Sequence, residues 1–301
     1  MTSAVVFAYH NVGVRSLKVL LAHGIDVRLV ITHEDNPGEQ IWFASVREVC
    51  REYGIACITP ADPNADDVVA RVAALDADFL FSFYYRLMLK APLLATARLG
   101  AFNLHGSLLP KYRGRVPVNW AIIHGERETG ASLHVMNIKP DNGALVDQQA
   151  VPILPDDTAQ DVFTKVMVAG EICLDRALPR LIAGTATLTP QDLSQGAYFG
   201  GRTAEDGRID WRQPARRIHD LVRAVTHPFP GAFADLPGGR LHVWRTRVVD
   251  QPAPAGKPGM LEFRDGSHTL YPLGGGCLRV LEADIDGGAL PEQDLPLLRI
   301  P

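Results

Sequence analysis

The chain has 301 residues, enough to bury a substantial core in one large domain or two ordinary ones. Hydrophobic residues make up 47% and charged residues 21%, an ordinary globular composition, and no internal repeat is visible. A net charge of −4 argues against nucleic acid as the main partner, and no uncharged apolar run is long enough for stable membrane insertion.

The first half alternates strand and helix signals. Ala4–Tyr9 is a short β-branched run of the kind covered on both faces, and a helical stripe with Leu17, Leu20 and Leu21 follows over Gly13–His23, stopped by Gly24. Val27–Thr32 reads as a strand, Phe43, Val46, Val49 and Cys50 recur at helical spacing, and Ile55–Ile58 is a brief strand. Val68, Val69, Val72 and Leu75 mark another helix before strands at Asp78–Tyr84 and Gly100–His105. This alternation predicts a Rossmann-like, doubly wound, mainly parallel sheet. The first strand–helix turn, Tyr9–Gly13, has no GxGxxG fingerprint, which counts against a nicotinamide oxidoreductase.

Strands are expected at Ser132–Ile138 and Ala144–Val151, around a turn made by Lys139-Pro140-Asp141-Asn142-Gly143. Asp156-Asp157-Thr158 reads as the cap of a long helix, Ala159 to about Ile182. Beyond residue 200, short strand candidates (Leu241–Trp244, Met260–Phe263, Thr269–Tyr271, Cys277–Leu281) are separated by Pro- and Gly-rich turns, with Pro252–Pro258 as a loop. They predict a small all-β module, a barrel, so the expected domains are 1–200 and 201–301. Cys50, Cys57, Cys173 and Cys277 form no CxxC pair; with no apolar signal segment, the expectation is a cytoplasmic protein with reduced thiols and no metal.

Asn103–Arg115, Asn-Leu-His-Gly-Ser-Leu-Leu-Pro-Lys-Tyr-Arg-Gly-Arg, begins as a strand and breaks into a polar loop. Two-residue spacing on a strand aims Asn103 and His105 to one face and Phe102 and Leu104 to the other. An amide and an imidazole would then stand together at the carboxyl end of a strand, where open α/β sheets bind ligands. Alone, either residue is more often a satisfied hydrogen-bonding group, and Asp141 a turn former. His134, between Leu133 and Val135, reads as structural.

Taken with Gly130-x-Ser132-x-His134-x-Met136 and Asp141-x-Gly143, this stretch resembles the folate-dependent formyltransferase family over nearly the whole chain, including an OB-like C-terminal domain. The resemblance implies transfer of a formyl group from 10-formyltetrahydrofolate to a primary amine, with Asn103, His105 and Asp141 catalytic. An amide N–H suits the oxyanion that develops on the formyl oxygen, and the attacking amine must lose a proton to a base of near-neutral pKa. His105 fits either as a donor or as that base, with Asp141 orienting its ring. By the same resemblance Tyr85, Arg86, Leu87, Met88, Leu89, Leu104, Ile138 and Lys139 would bind the folate. Tyr9, His10, Ser107, Arg113, Arg115 and Arg202 would bind the acceptor, the arginines meeting its diphosphate.

The acceptor is read from further segments. The acidic stretch His33–Trp42, with its Asn-Pro-Gly-Glu, resembles UDP-4-amino-4-deoxy-L-arabinose formyltransferases, as do Phe7–His10, Phe81–Arg86, Val116–Trp120 and Phe199–Thr203. Gly201 and Ser132 depart from that pattern, where Arg and Thr are usual. The implied partner is a UDP-linked amino sugar, in lipid A modification, acted on by a stand-alone enzyme or an excised domain; oligomerisation is left open. The alternatives are methionyl-tRNA formylation, disfavoured by the acidic His33–Trp42 stretch, and a non-catalytic folate- or nucleotide-binding protein.

Overall fold

The computed structural model describes residues 1–36, 38, 41–236, 238–250 and 253–297. Pro37, Glu39 and Gln40 of the acidic stretch, and Pro252 of the expected loop, lie outside the described residues. In chain order the elements begin β1 (Ser3–Ala8), α1 (His10–Ala22), β2 (Asp26–Ile31), α2 (Val46–Tyr53), β3 (Cys57–Ile58) and α3 (Asp66–Ala74). Then come β4 (Phe79–Phe83), α4 (Ala91–Leu94), β5 (Gly100–His105), β6 (Arg113–Gly114), α5 (Pro117–Ile123), β7 (Glu128–Val135), β8 (Leu145–Pro152), α6 (Ala159–Ile182) and β9 (Tyr198–Phe199). The chain ends with α7 (Ala215–Val225), β10 (Ala232–Leu236), β11 (Gly239–Val249), β12 (Met260–Arg264), β13 (Ser267–Tyr271), β14 (Cys277–Ile285) and β15 (Leu295–Pro296). Two compact units result: residues 1–117, 129–151 and 164–200 form one, and residues 118–128, 152–163 and 201–301 the other.

The first unit is built on a seven-stranded sheet of order β3-β2-β1-β4-β5-β7-β8. The β1–β2, β2–β3, β1–β4 and β4–β5 pairs are parallel, and β7 joins β5 antiparallel. Every residue of β1 and β4 is buried, as central strands under helices on both faces must be. On one face Phe7, Leu29, Ile31, Leu80 and Leu93 pack with Val68 and Val72 of α3. On the other, Phe79, Phe81 and Phe102 meet at 5.7–5.9 Å between ring centroids. Each buried Phe is worth roughly 1.5–3 kcal/mol, so the sheet's middle is the best-anchored part of this unit. At its base Asp78 accepts from Ser3 N–H (2.8 Å) and Ser3 Oγ (3.0 Å), tying the start of β1 to β4.

Several expected boundaries shift, and two are informative. Helix α1 begins at His10, three residues early, with Gly13 packed so closely on β1 that a Cβ would lie 3.1 Å from Ala8. Strand β7 runs Glu128–Val135 and not Ser132–Ile138, because Asn137 turns the chain by accepting from Lys139 N–H at 2.9 Å.

The second unit holds a six-stranded antiparallel sheet, order β10-β11-β14-β13-β12-β15, curled into a half-barrel. The stretch beyond residue 200 is not all-β. Helix α7 lies against β11 and buries Ile218, Val222 and Val225. Three of its polar residues are buried too: Arg223 (4% exposed) pairs with Asp220 (2%) at 2.8 Å, and His219 shares a hydrogen bond with Thr246 Oγ1 at 2.9 Å. No helix among the described residues is long and apolar enough to cross a membrane.

Candidate active site

The antiparallel β5–β7 pairing builds the centre of the site. Its register sets Asn103 opposite His134 and His105 opposite Ser132, so all four share one face. Leu104 turns the other way, toward α6, where a Cβ on Gly170 would lie 2.7 Å from its Cδ2. Asn103 Nδ2 stands 3.1 Å from His134 Nε2, while His134 Nδ1 donates to the Val135 carbonyl at 2.9 Å. In the neutral ring the Asn103 amide donates to Nε2, which fixes its rotation; in the protonated ring Nε2 turns its proton toward Asp141 Oδ1. His105 Nε2 donates to the Tyr112 carbonyl at 2.8 Å, which leaves Nδ1 as the ring atom able to exchange a proton.

Asp141 completes the group. Its Oδ1 lies 3.6 Å from His105 Nδ1 and 3.5 Å from His134 Nε2, and its Oδ2 accepts from Gly114 N–H at 2.8 Å. The three side chains are 7%, 2% and 11% exposed for His105, His134 and Asp141. Burial works to raise the Asp141 carboxyl, but the charge of His105, the hydrogen bond and charge of His134, and the Gly114 N–H outweigh it and hold it at about 2. Asp141 is thus a fixed anion at neutral pH. Its backbone is left-handed, φ +56°, a conformation Asp tolerates better than most side chains.

Around this centre the predicted residues divide. Tyr85 stacks on His33 (ring centroids 4.1 Å apart), Arg86 lies over the Tyr9 ring, and Leu89 is buried in the core. Leu87, Met88, Ile138 and Lys139 are exposed, three of them apolar. Tyr9 donates to Asp35 at 2.8 Å, and His10 is buried among Trp42, Phe43 and Tyr84. Arg113 is held by the chain itself, donating to Asn142 Oδ1 at 2.9 Å and to the Gly196 carbonyl at 2.8 Å. Arg115 is exposed. Arg202 belongs to the second unit, its guanidinium over the Trp120 ring.

Ser107, expected at the acceptor, lies in the loop after β5. It is fully buried, and its hydroxyl donates to the Lys111 carbonyl at 2.6 Å, so it shapes the loop after β5. Ser132, opposite His105, does related work: its Oγ donates to the Ser107 carbonyl and accepts from Leu109 N–H and Gln148. His134, expected to be structural, is the next-to-last residue of β7, and the register sets it opposite Asn103. Among the described residues no cluster of three or more His, Cys, Asp or Glu could hold a metal ion.

Comparison with known proteins finds this fold in several solved structures. An N-formyltransferase from Helicobacter canadensis, solved with folinic acid and dTDP-3-aminofucose, superposes with a TM-score of 0.75 at 21% identity, covering 93% of this chain and 99% of its own. The sugar 3N-formyltransferase WlaRD, solved in the presence of dTDP and 5-N-formyl-THF, gives 0.73 at 20% identity, with 93% and 97% covered. A sugar N-formyltransferase from a Shewanella species gives 0.63 at 20% identity, with 81% and 96% covered. The formyl transferase family model matches residues 11–178, and the model of the formyl transferase C-terminal domain matches residues 202–292. The first match alone spans more than half of the sequence, and the chain belongs to the formyl transferase family.

Proposed function

We propose that the chain transfers a formyl group from 10-formyltetrahydrofolate to the primary amine of a nucleotide-linked amino sugar, UDP-4-amino-4-deoxy-L-arabinose, in the cytoplasm, with catalysis confined to residues 1–200. The observation that carries this is the convergence of Asn103, His105, His134 and Asp141 on one face of the β5–β7 pair. The folate fits the residues present: Leu87, Met88 and Ile138 are exposed apolar side chains of the kind that cover a flat heteroaromatic ring. When bound, it supplies the activated formyl carbon. Asn103, its amide oriented by His134, directs its remaining N–H to the formyl oxygen, where one such donor is worth about 3–4 kcal/mol as negative charge develops. His105 takes the proton of the attacking amine at Nδ1, because Nε2 is committed to Tyr112. Asp141 stays ionised throughout and stabilises the imidazolium that results.

Arg115, exposed beside this centre in sequence and fold, is the cation offered to the acceptor's diphosphate, and Arg113 holds the loop that presents it. The sugar is assigned from the segments that resemble UDP-4-amino-4-deoxy-L-arabinose enzymes. A panel of acceptors with 10-formyltetrahydrofolate, followed by mass spectrometry for a gain of one formyl group, tests the reading. Formylation of the UDP-linked arabinose amine is expected. Formylation of dTDP-linked 3-amino sugars alone would refute the named acceptor, and formylation of methionyl-tRNA alone would refute the sugar class.

A further inference from the structure

Asp141 owes its position to a residue far along the chain. The Gln191 side-chain amide donates to the Asp141 carbonyl at 2.9 Å and to the Gly143 carbonyl at 2.6 Å, so both of its hydrogens are used. The orientation is fixed by chemistry, since two carbonyls can be met only by the NH₂ end of an amide. Among the described residues Gln191 Oε1, which is buried, has no hydrogen-bond partner, so the side chain serves these two bonds. We propose that Gln191 is a positioning residue for formyl transfer: it locks the left-handed backbone of Asp141 that aims the carboxylate at His105 and His134.

Three further observations place Gln191 in a strap made for this purpose. Two residues before it, Thr189 exchanges both backbone hydrogen bonds with Leu145, at 2.8 and 2.9 Å, just beyond the turn. After it, Arg113 reaches from the other side to Leu193, Gly196 and Asn142, joining the strap to the turn again. Farther on, β9 pairs in parallel with β6, setting Phe199 beside Gly114, whose N–H holds Asp141 Oδ2. A Cβ on Gly114 would lie 2.2 Å from the Phe199 carbonyl, and a Cβ on Gly143 would lie 1.8 Å from the Val135 carbonyl. The turn is therefore clamped between β7 and the strap. Backbone carbonyls at 141 and 143 that lost their donors would rotate toward water, and the carboxylate would turn with them.

The inference rests on the catalytic reading of Asp141, and the experiment separates the two. Gln191→Met keeps the length and removes both donors; Gln191→Glu keeps the shape and offers none when ionised. Each should lower kcat about 10- to 100-fold while KM for 10-formyltetrahydrofolate stays within about threefold, as expected for a small misplacement of a reacting group. Gln191→Glu should recover relative to wild type as pH falls, because a protonated carboxyl regains one donor; Gln191→Met should not. Independently of turnover, the ¹⁵N ring resonances of His105 and His134 should move in Gln191→Met in the same direction as in Asp141→Asn. Unchanged kcat in both variants, or lost kcat with the ring resonances unmoved, overturns the proposal. If Gln191→Met fails to fold, the pH profile of Gln191→Glu decides it. If the wild-type protein formylates no amine, the catalytic reading fails, while the ring resonances still report whether Gln191 positions Asp141.

Discussion

Replacing Asp141 with Asn removes one charge and little else. The amide keeps the side chain's shape and an oxygen able to accept from Gly114 N–H, so the turn has no steric reason to move. What disappears is the anion 3.6 Å from His105 Nδ1. Coulomb's law at that separation, with an effective dielectric of about 20, gives about 4–5 kcal/mol of attraction toward an imidazolium. Part is recovered by the Asn dipole and by rearranged water, so kcat should fall roughly 10²- to 10³-fold, corresponding to about 3–4 kcal/mol. The KM for 10-formyltetrahydrofolate should change little, because the charge acts on the proton-accepting ring and not on the bound folate. The assay is steady-state formyl transfer on protein whose near-ultraviolet circular dichroism matches wild type. A variant retaining a third or more of the wild-type kcat would refute the assignment of His105 as a base that Asp141 stabilises.

Two further predictions concern stability. The Asp141 carboxyl is held at about 2 against an ordinary value of 3.8, so folding gains from its ionised form above about pH 4 and loses that gain as pH falls toward 2. The contribution is about 2 kcal/mol; urea midpoints measured at pH 5 and pH 3 should fall more steeply for wild type than for Asp141→Asn, and parallel slopes would remove the linkage. In the second unit, Arg223→Ala leaves Asp220 buried with Arg216 Nε, at 3.7 Å, as its remaining ion-pair partner among the described residues, and should cost roughly 3 kcal/mol by chemical denaturation. A loss below about 1 kcal/mol would show that water reaches Asp220 freely.

The strands of the first unit were readable because they are buried on both faces, which leaves apolar runs such as Val5–Ala8 and Phe79–Phe83. Asn103, His105 and Asp141 were legible for another reason: their spacing sits in a motif too specific to arise from packing. His134 was not, since alternation with Leu133 and Val135 is what any buried strand shows, and only the pairing register reveals that it faces Asn103. Helix α7 escaped notice because Arg216, Arg217, Asp220 and Arg223 dilute its apolar stripe, although Ile218, Val222 and Val225 recur at helical spacing. Gln191 had no signature at all. A lone amide in a polar segment becomes meaningful only when the carbonyls it meets are 48 and 50 positions away.

That separation also bears on how the molecule matures. Closing a flexible loop of about 50 residues costs roughly 3–4 kcal/mol of chain entropy, and two neutral hydrogen bonds return about 1–3 kcal/mol. The Gln191 contact therefore does not close that loop unaided. Helix α6 occupies 24 of the intervening positions and must already lie on the sheet, with Gly170 against Leu104, before Gln191 is near enough to bind. Leu104 sits between Asn103 and His105 on β5, so the event that seats the helix acts on the strand carrying the chemistry. A nascent chain ending before residue 189 would hold the amide, both imidazoles and the carboxylate, yet lack the latch that aligns them.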